Sequence, residues 1–419
     1  MKVPGDVGRI AIVDGVRTPF AKMATVFKGY SARDLAVHAV NALLDRAQLP
    51  AEQVDELIFG NVVVDPRMPH LAREIVFASR LSAGVRALTV VDNCITGTSA
   101  LATVMANIQT GRARVGIAGG VESMSNPALL FSRGATAKFV DLATNRRFGG
   151  RLRAVLGLRP GDFWPDPPAL AEPSTGLTMG EHCELMVKEW SIGRGEQDAL
   201  ACRSHRNAHA ASEDGRLPAE IAALDGVQRD GLIRSKASVE QLAGLRPVFD
   251  RSTTGTITAG NSSPLTDGAA SLLLMSEEHA SREGVKPLAF VKAMVNASID
   301  PADGLLMGPG VAVPELLAQT GLTLAQMDVV EMHEAFAGQV LCNLKAWELG
   351  WKRPAIGRVA DEQLNPLGSS MAIGHPFAAT GARIVLTLAN ELQRRGGRYG
   401  LVSICGAGAT AVAIILERP

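Results

Sequence analysis

Three things are missing from this chain, and each absence removes a class of function. There is no net charge: Lys+Arg and Asp+Glu both total 42 in 419 residues, so no global field recruits nucleic acid or a membrane surface. There is no disulfide framework. The 5 cysteines are odd in number and widely spaced, which suits a reducing compartment where a thiol can work as a nucleophile. There is no uncharged run long enough to span a bilayer, and Met1-Lys2-Val3-Pro4-Gly5-Asp6 has neither the apolar core of a signal peptide nor the Arg/Ser-rich length of a transit peptide. The expectation is a cytoplasmic protein without a nucleic-acid partner. Its 47% hydrophobic content supports a well-buried globular chain, and its length is enough for two or three domains.

What is present alternates short apolar runs with helical patterns, the mark of an α/β architecture. Strands are expected at Arg9 to Val13, Leu57 to Val64, Leu88 to Asn93, and Val115 to Ala118 ending in Gly119-Gly120. Ser31-Ala32-Arg33-Asp34 opens a helix with a capping-box-like signal, followed by Leu35, Val37, Val40, Leu43 and Leu44 at roughly helical spacing. Gly97 to Gln109 reads as a small-residue helix packed in the core. The plan recurs near the carboxyl end. Ala106-Asn107, Gly111 and Val115-Gly116-Ile117-Ala118-Gly119 are answered by Ala389-Asn390, Gly396-Gly397 and Tyr399-Gly400-Leu401-Val402-Ser403. Helix, glycine turn and apolar strand return almost in register, which suggests two domains related by duplication. Between them the composition changes, with Pro160, Pro165, Pro167, Pro168 and Pro173 clustered and a helix over Gly195 to Ser212 read as amphipathic and surface-lying. This stretch reads as an insertion covering a site built by the core.

Four motifs carry chemistry. Cys94, in Val91-Asp92-Asn93-Cys94-Ile95-Thr96-Gly97, lies where a strand gives way to a helix. The helix dipole and free N–H groups would favour thiolate there, and a backbone N–H could hold an oxyanion; a lone buried cysteine is the competing reading. His375, in Gly374-His375-Pro376, is held by restricted backbone ahead of a helix and could take the thiol proton, or be a structural loop histidine. His333 and Glu334 follow the strand Val329 to Met332 and precede a helix over Ala335 to Leu349. A strand end in an α/β fold points at the ligand crevice; a helix-capping pair is the alternative. Cys405 ends the strand Leu401 to Ile404 and meets Gly406-Ala407-Gly408, where backbone can approach a ligand; it could also be a core thiol. His205 and His209, four apart on a probable helix, read as a solvated face rather than a metal site.

Together these motifs resemble the thiolase family over almost the whole chain. Asp14-Gly15-Val16-Arg17-Thr18-Pro19-Phe20, Gly119-Gly120-Val121-Glu122-Ser123-Met124-Ser125, Thr178-Met179-Gly180, Gly255 to Ser263 and Thr266-Asp267-Gly268-Ala269-Ala270 agree with it. The His-Glu-Ala-Phe form with Gly-His-Pro-Phe-Ala-Ala-Thr-Gly looks like the thiolase subunit of fatty-acid-oxidation complexes. The resemblance implies a five-layered α/β/α/β/α fold: an N-terminal thiolase domain (1–122 plus 246–277), a CoA-covering loop domain (123–245) and a C-terminal thiolase domain (278–419). It implies Cys94 as the acyl-accepting nucleophile, His375 as its activator, Cys405 as the acid/base at the acetyl-CoA α-carbon, and His333 where many relatives carry asparagine. Backbone N–H groups of Cys94 and Ala407 are the candidate oxyanion donors. Met179, Arg234, Ser238, Phe249, Ala259, Gly260 and Ser263 match positions that hold coenzyme A, a substrate here rather than a permanent cofactor, and no metal is expected.

The implied reaction cleaves a 3-ketoacyl-CoA with CoA through a Cys94 acyl-enzyme, with fatty-acid β-oxidation as its setting. A short-chain acetoacetyl-CoA enzyme working in condensation, and an inactive thiolase-fold scaffold, are the competing readings. A homodimer or tetramer, and a hydratase/dehydrogenase partner subunit, follow from the resemblance. Phe131 to Arg159, where apolar and arginine residues interleave, reads as a peripheral membrane or partner contact, or as a lid packing on its own domain. The chain departs from many relatives at Ile95-Thr96-Gly97, Gly368-Ser369-Ser370 and Gly406-Ala407-Gly408-Ala409.

Overall fold

The computed structural model describes residues 8–166 and 171–419. Met1–Asp6 and the pair Pro167 and Pro168 therefore lie outside the described residues. Among the described residues, contacts divide the chain into one unit of residues 8–62, 70–126 and 171–419, and a second of 63–69 and 127–166.

The large unit is built from one plan used twice. Its first half contains β1 (Ile10–Arg17), α1 (Ala32–Ala47), β2 (Glu56–Gly60), α2 (Leu71–Ala78), β3 (Arg86–Val90), α3 (Thr96–Gln109), β4 (Val115–Glu122) and β5 (Thr266–Ser276). The second half contains β6 (Ala289–Ser298), a helix over Pro309–Thr320, β7 (Val329–Met332), a helix over Ala337–Leu349, a helix over Phe377–Arg395, β8 (Tyr399–Gly406) and β9 (Thr410–Glu417). Strand order is β1-β5-β4-β2-β3 in the first half and β6-β9-β8-β7 in the second. Pairing directions match as well. β2 and β4 are parallel while β4–β5 and β5–β1 are antiparallel; β7 and β8 are parallel while β8–β9 and β9–β6 are antiparallel. The halves join where Ile10, Ala11 and Ile12 pair with Val291, Phe290 and Ala289.

Alternation along the strands explains the layers. In β9, Val412, Ile414 and Leu416 enter one cluster with Leu101, Val104, Ile384 and Leu388, while Ala411, Ala413 and Ile415 enter another with Val313, Leu316, Val340 and Trp347. Both faces of the strand are buried, as period-two side chains require between two helical layers. Helix α3 and the helix Phe377–Arg395 form the middle layer, with α1 and α2 outside one half-sheet and Pro309–Thr320 and Ala337–Leu349 outside the other. This is the expected five-layered arrangement.

Local signals account for some element ends. Ser31 caps α1 through Asp34 in a full capping box, and Thr178 does the same for Met179–Glu189 through Glu181. Five boundaries differ from expectation. β1 runs on to Arg17 rather than stopping at Val13. β2 stops at Gly60 rather than Val64, where a Cβ would lie 2.3 Å from Val90 O. β3 ends at Val90, so Cys94 is reached through a separate turn. β4 runs through Gly119-Gly120 to Glu122, because glycines here admit neighbours rather than end the strand: a Cβ on Gly120 would lie 2.0 Å from Ala378 O. Strand β8 extends to Gly406 and so contains Cys405.

The helix Arg194–Glu213 corrects a further expectation. Leu200, Ala201, Cys202, Ser204, His205, Ala208 and Ala211 are buried, so it is a packed helix rather than a surface one. His205 does not belong to a solvated face: its Nδ1 accepts the Arg234 N–H at 3.2 Å, and burial pushes its imidazole down to about 4.

The small unit holds helices Arg133–Thr144 and Phe148–Leu156 and a short ribbon of Leu130–Phe131 with Pro165–Asp166. Phe139 packs between Phe131 and Phe163, and Lys138 pairs with Asp162 at 2.7 Å. Phe148, Leu156 and Trp164 remain 82%, 77% and 80% exposed, so much of this unit's apolar surface is not consumed by its own fold. No helix among the described residues is long and apolar enough to cross a membrane.

Candidate active site

The site begins with a turn that the sequence staples in place. Cys94 occupies a single 3₁₀ turn, Asn93–Ile95, just before α3. Asn93 has φ 47°, a left-handed conformation that asparagine tolerates better than most residues, and its amide donates to Ala407 O at 2.9 Å. The Thr96 hydroxyl accepts the Asp92 N–H and donates to Asn93 O, both at 2.7 Å. The unusual Thr96 thus has a structural reason: it fastens the turn that presents the sulfur.

His375 arrives from the other half. Gly374 precedes it with φ 112° and no room for a side chain, since a Cβ would meet Leu232 at 2.6 Å and Thr266 at 2.8 Å. The His375 N–H donates to Thr266 Oγ1 at 3.0 Å. Its Nδ1 lies 2.7 Å from Thr380 Oγ1, and its Nε2 lies 3.3 Å from Cys94 Sγ. Two helices make this approach possible. A Cβ on Gly97 would fall 2.7 Å from Ala378 O, and one on Gly381 would fall 3.0 Å from Thr98 N. The starts of α3 and of Phe377–Arg395 therefore touch through backbone, and the residues just ahead of each helix, Cys94 and His375, are brought together.

His333 follows β7, its N–H donating to Ser403 O at 2.8 Å. Its ring centroid is 4.2 Å from that of His375. A ring nitrogen of each histidine and the Cys94 sulfur all lie within 4.8 Å of one another. His333 Nδ1 is 2.7 Å from Ser370 Oγ, while Nε2 is buried with no hydrogen-bond partner among the described residues. Glu334 is not a helix cap. Its carboxylate accepts the Ser204 hydroxyl and the Asn365 amide, each at 2.7 Å, and the Met371 N–H at 3.3 Å. Asn365 in turn accepts the Met332 N–H at 2.7 Å. Glu334 thereby ties the loop carrying Ser370 and His375 to the end of β7. Sequence reasoning missed Ser370, Thr380, Ser204 and Asn365, because ordinary hydroxyls and amides carry no signal until their partners are known.

Cys405 is 1% exposed near the end of β8. Beside it, a Cβ on Gly406 would meet Ile95 at 3.6 Å, so the strand end abuts the Cys94 turn. Burial and the neighbouring Cys94 hold the Cys405 thiol well above the ordinary range.

Electrostatics overturns the expectation of a standing thiolate. Cys94 is partly exposed, yet burial, with the Glu122 carboxylate, pushes its thiol up to about 11, against the backbone N–H groups of Ala407 and Cys94, which pull the other way. Burial, then the Arg383 cation, pushes His375 down to about 3. Burial, His375 and Arg383 hold His333 well below its usual range. The resting pair is therefore thiol and neutral imidazole, because desolvation penalises both charges more than the helix start relieves one. One sulfur and two imidazole nitrogens are also a donor set that a soft divalent ion could take.

The residues matched to coenzyme A fall in two places. Met179 and Phe249 pack against the apolar cluster that contains Cys405 and Phe336, with Phe249 edge-on to Phe336 at 5.9 Å. Ser263 donates its N–H to Ala335 O at 2.9 Å, beside the His333 segment. Arg234 lines a cavity of about 400 Å³ with Ile233, Ser235, Lys236, Gln241 and Leu242. Gly260 lies against that cavity's wall, since a Cβ would meet Leu245 and Leu242 at 2.6 and 2.7 Å. Ser238 caps Val239–Ala243 by accepting the Gln241 N–H, and Ala259 is exposed.

Comparison with known proteins fits this arrangement. Residues 10–278 match the family model for the thiolase N-terminal domain, and residues 285–418 that for the thiolase C-terminal domain. The chain is 43% identical to a 3-ketoacyl-CoA thiolase of Klebsiella pneumoniae (strain 342) over 422 residues, 98% of this chain and 97% of that protein. Among solved structures, the acetyl-CoA acetyltransferase of Bacillus anthracis superposes with TM-score 0.87 at 30% identity, covering 99% of this chain and 100% of that one. Human mitochondrial 3-ketoacyl-CoA thiolase in complex with CoA gives 0.85 at 29% identity, covering 99% and 98%.

Proposed function

This chain belongs to the thiolase family, and on that premise we propose that it is an acyltransferase cleaving 3-ketoacyl-CoA with CoA, to acetyl-CoA and a shortened acyl-CoA. One observation carries the reading: Cys94 Sγ lies 3.3 Å from His375 Nε2, with a second imidazole and a second thiol beside it. In this reading His375 takes the Cys94 proton as sulfur attacks the keto carbon. A neutral imidazole is the competent base, and a thiol that ionises only during attack exposes no standing charge. The Ala407 and Cys94 N–H groups, which pull the thiol down against burial, hold the tetrahedral oxyanion. Collapse expels the acetyl-CoA enolate. His333 and the newly protonated His375 donate to its oxygen, and Cys405 delivers the proton to carbon. Free CoA then takes the acyl group from Cys94.

Coenzyme A is bound as a substrate, with its nucleotide end toward Arg234 and its pantetheine beside Met179, Phe249 and Ser263. The 123–245 stretch acts as its cover between the thiolase domains of 1–122 plus 246–277 and 278–419. Fatty-acid β-oxidation in the cytoplasm is the proposed setting, with the chain as a homodimer or tetramer. The exposed Phe148 and Leu156 support a role for 131–159 in contacting a hydratase/dehydrogenase subunit or a membrane surface. Thiolysis of acetoacetyl-CoA and of a long-chain 3-ketoacyl-CoA tests the activity. Cleavage of the long-chain substrate is expected. Cleavage of acetoacetyl-CoA alone would favour a short-chain enzyme, and cleavage of neither would leave only a scaffold.

A further inference from the structure

The arrangement behind His333 decides where its proton resides. Arg383 is fully buried, and a guanidinium has donors but no acceptor. Its Nη2 lies 3.2 Å from Ser369 Oγ and 3.1 Å from Ser370 Oγ, so the Ser370 oxygen is used as an acceptor. The Ser370 hydroxyl must still place its own hydrogen. Among the described residues, its remaining hydrogen-bond partner is His333 Nδ1, at 2.7 Å. If Nδ1 carried the proton, the Ser370 oxygen would face two donors, and its hydrogen would be stranded at 0% exposure, a state disfavoured roughly tenfold or more. The chain Arg383, Ser370, His333 is consistent in one direction only.

We propose that Ser370 and Arg383 are positioning residues that fix the tautomer of His333, with the proton on Nε2. This rests on the thiolase reading above. Among the described residues Nε2 has no hydrogen-bond partner, and it belongs to the ring packed on His375. It is then a permanent donor to an oxygen entering the site, while Nε2 of His375 is an acceptor for the Cys94 proton. Two adjacent neutral imidazoles thus carry opposite assignments, and an oxyanion donor exists before any proton has moved. Ser370 itself is held by the Glu334 bond to Met371 N–H and by the Ser204 hydroxyl, which accepts the Ser369 N–H at 3.1 Å.

The ¹⁵N spectrum of the full-length, histidine-labelled protein tests this, with His333 identified by its absence in His333→Asn. The expected pattern is a protonated Nε2 and an accepting Nδ1. In Ser370→Ala, α-proton exchange of acetyl-CoA should slow roughly 10-fold, less than the ~100-fold expected from deleting an oxyanion donor outright. Alkylation of Cys94 by iodoacetamide should stay within about twofold, because no His375 contact is touched. Ser370→Thr, which keeps the hydroxyl, should recover exchange. A proton on Nδ1 in the wild type, or unchanged exchange in a folded Ser370→Ala, overturns the proposal. If Ser370→Ala does not fold, the wild-type spectrum decides alone. A wild type that neither alkylates at Cys94 nor thiolyses ketoacyl-CoA instead rejects the function on which the proposal stands.

Discussion

The two halves of the large unit share strand order and pairing direction, yet they differ sharply at the ends of their strands. β2 and β4 end at Gly60 and Glu122, while β7 and β8 lead to His333 and to Cys405-Gly406. The segments ahead of the two central helices supply Cys94 in one half and His375 in the other. One half thus provides a nucleophile and the other the groups that move protons, with glycines on both sides admitting the neighbour. A repeated frame fixes where reactive side chains can stand. Residues at strand and helix ends decide what each position does.

The contrast can be broken from its strongest point outward. Cys94→Ser removes the one reactive group of the first half, and thiolysis should fall by at least ~10³-fold with CoA binding retained; turnover near the wild-type rate would remove Cys94 from the mechanism. His375→Asn should lower acyl transfer ~10²–10⁴-fold and slow Cys94 alkylation in parallel, and alkylation at the normal rate would mean that the imidazole does not activate the thiol. Cys405→Ser separates the two chemistries. Acyl labelling of Cys94 should persist while acetyl-CoA α-proton exchange drops ~10²-fold, and unchanged exchange would reject its role. Gly97→Ala tests the frame itself. The added methyl meets Ala378 O at 2.7 Å, so the protein should lose about 1–3 kcal/mol in chemical denaturation, with a larger proportional loss of thiolysis than of CoA binding. A last effect, on stability alone, concerns acid. Burial pushes His205 down to about 4 and His375 down to about 3, from an ordinary 6.5. The unfolded chain therefore binds protons that the folded one refuses, and stability complete above pH 6.5 should decline as pH falls toward 4. Denaturation midpoints that stay flat across that window would contradict the buried, neutral histidines.

Much of this was legible in the chain because it lay in patterns. The recurrence of Ala106-Asn107 and Ala389-Asn390 before glycine turns and apolar strands marks the frame, and two cysteines and two histidines at element ends mark the site. Local readings failed where long-range packing intervened. Gly119-Gly120 looks like a strand terminus, but its glycines make room for Ala378 from a helix more than 250 residues later. His205 has the spacing of an exposed face, yet it accepts from the Arg234 backbone. Cys94 has a helix start in its favour, and burial outweighs it. Ser370 and Thr380 became visible as histidine partners only when folding placed their hydroxyls at 2.7 Å.

The contact of Gly97 with Ala378, and of Gly381 with Thr98, has one more implication. The gap between sulfur and imidazole is gauged by two main chains lying directly on each other, not by how far flexible side chains stretch. That gap should barely respond to the size of the acyl group being cut. Discrimination among acyl groups must then come from walls farther out, so widening or narrowing those walls should retune substrate choice while the cutting machinery keeps its setting.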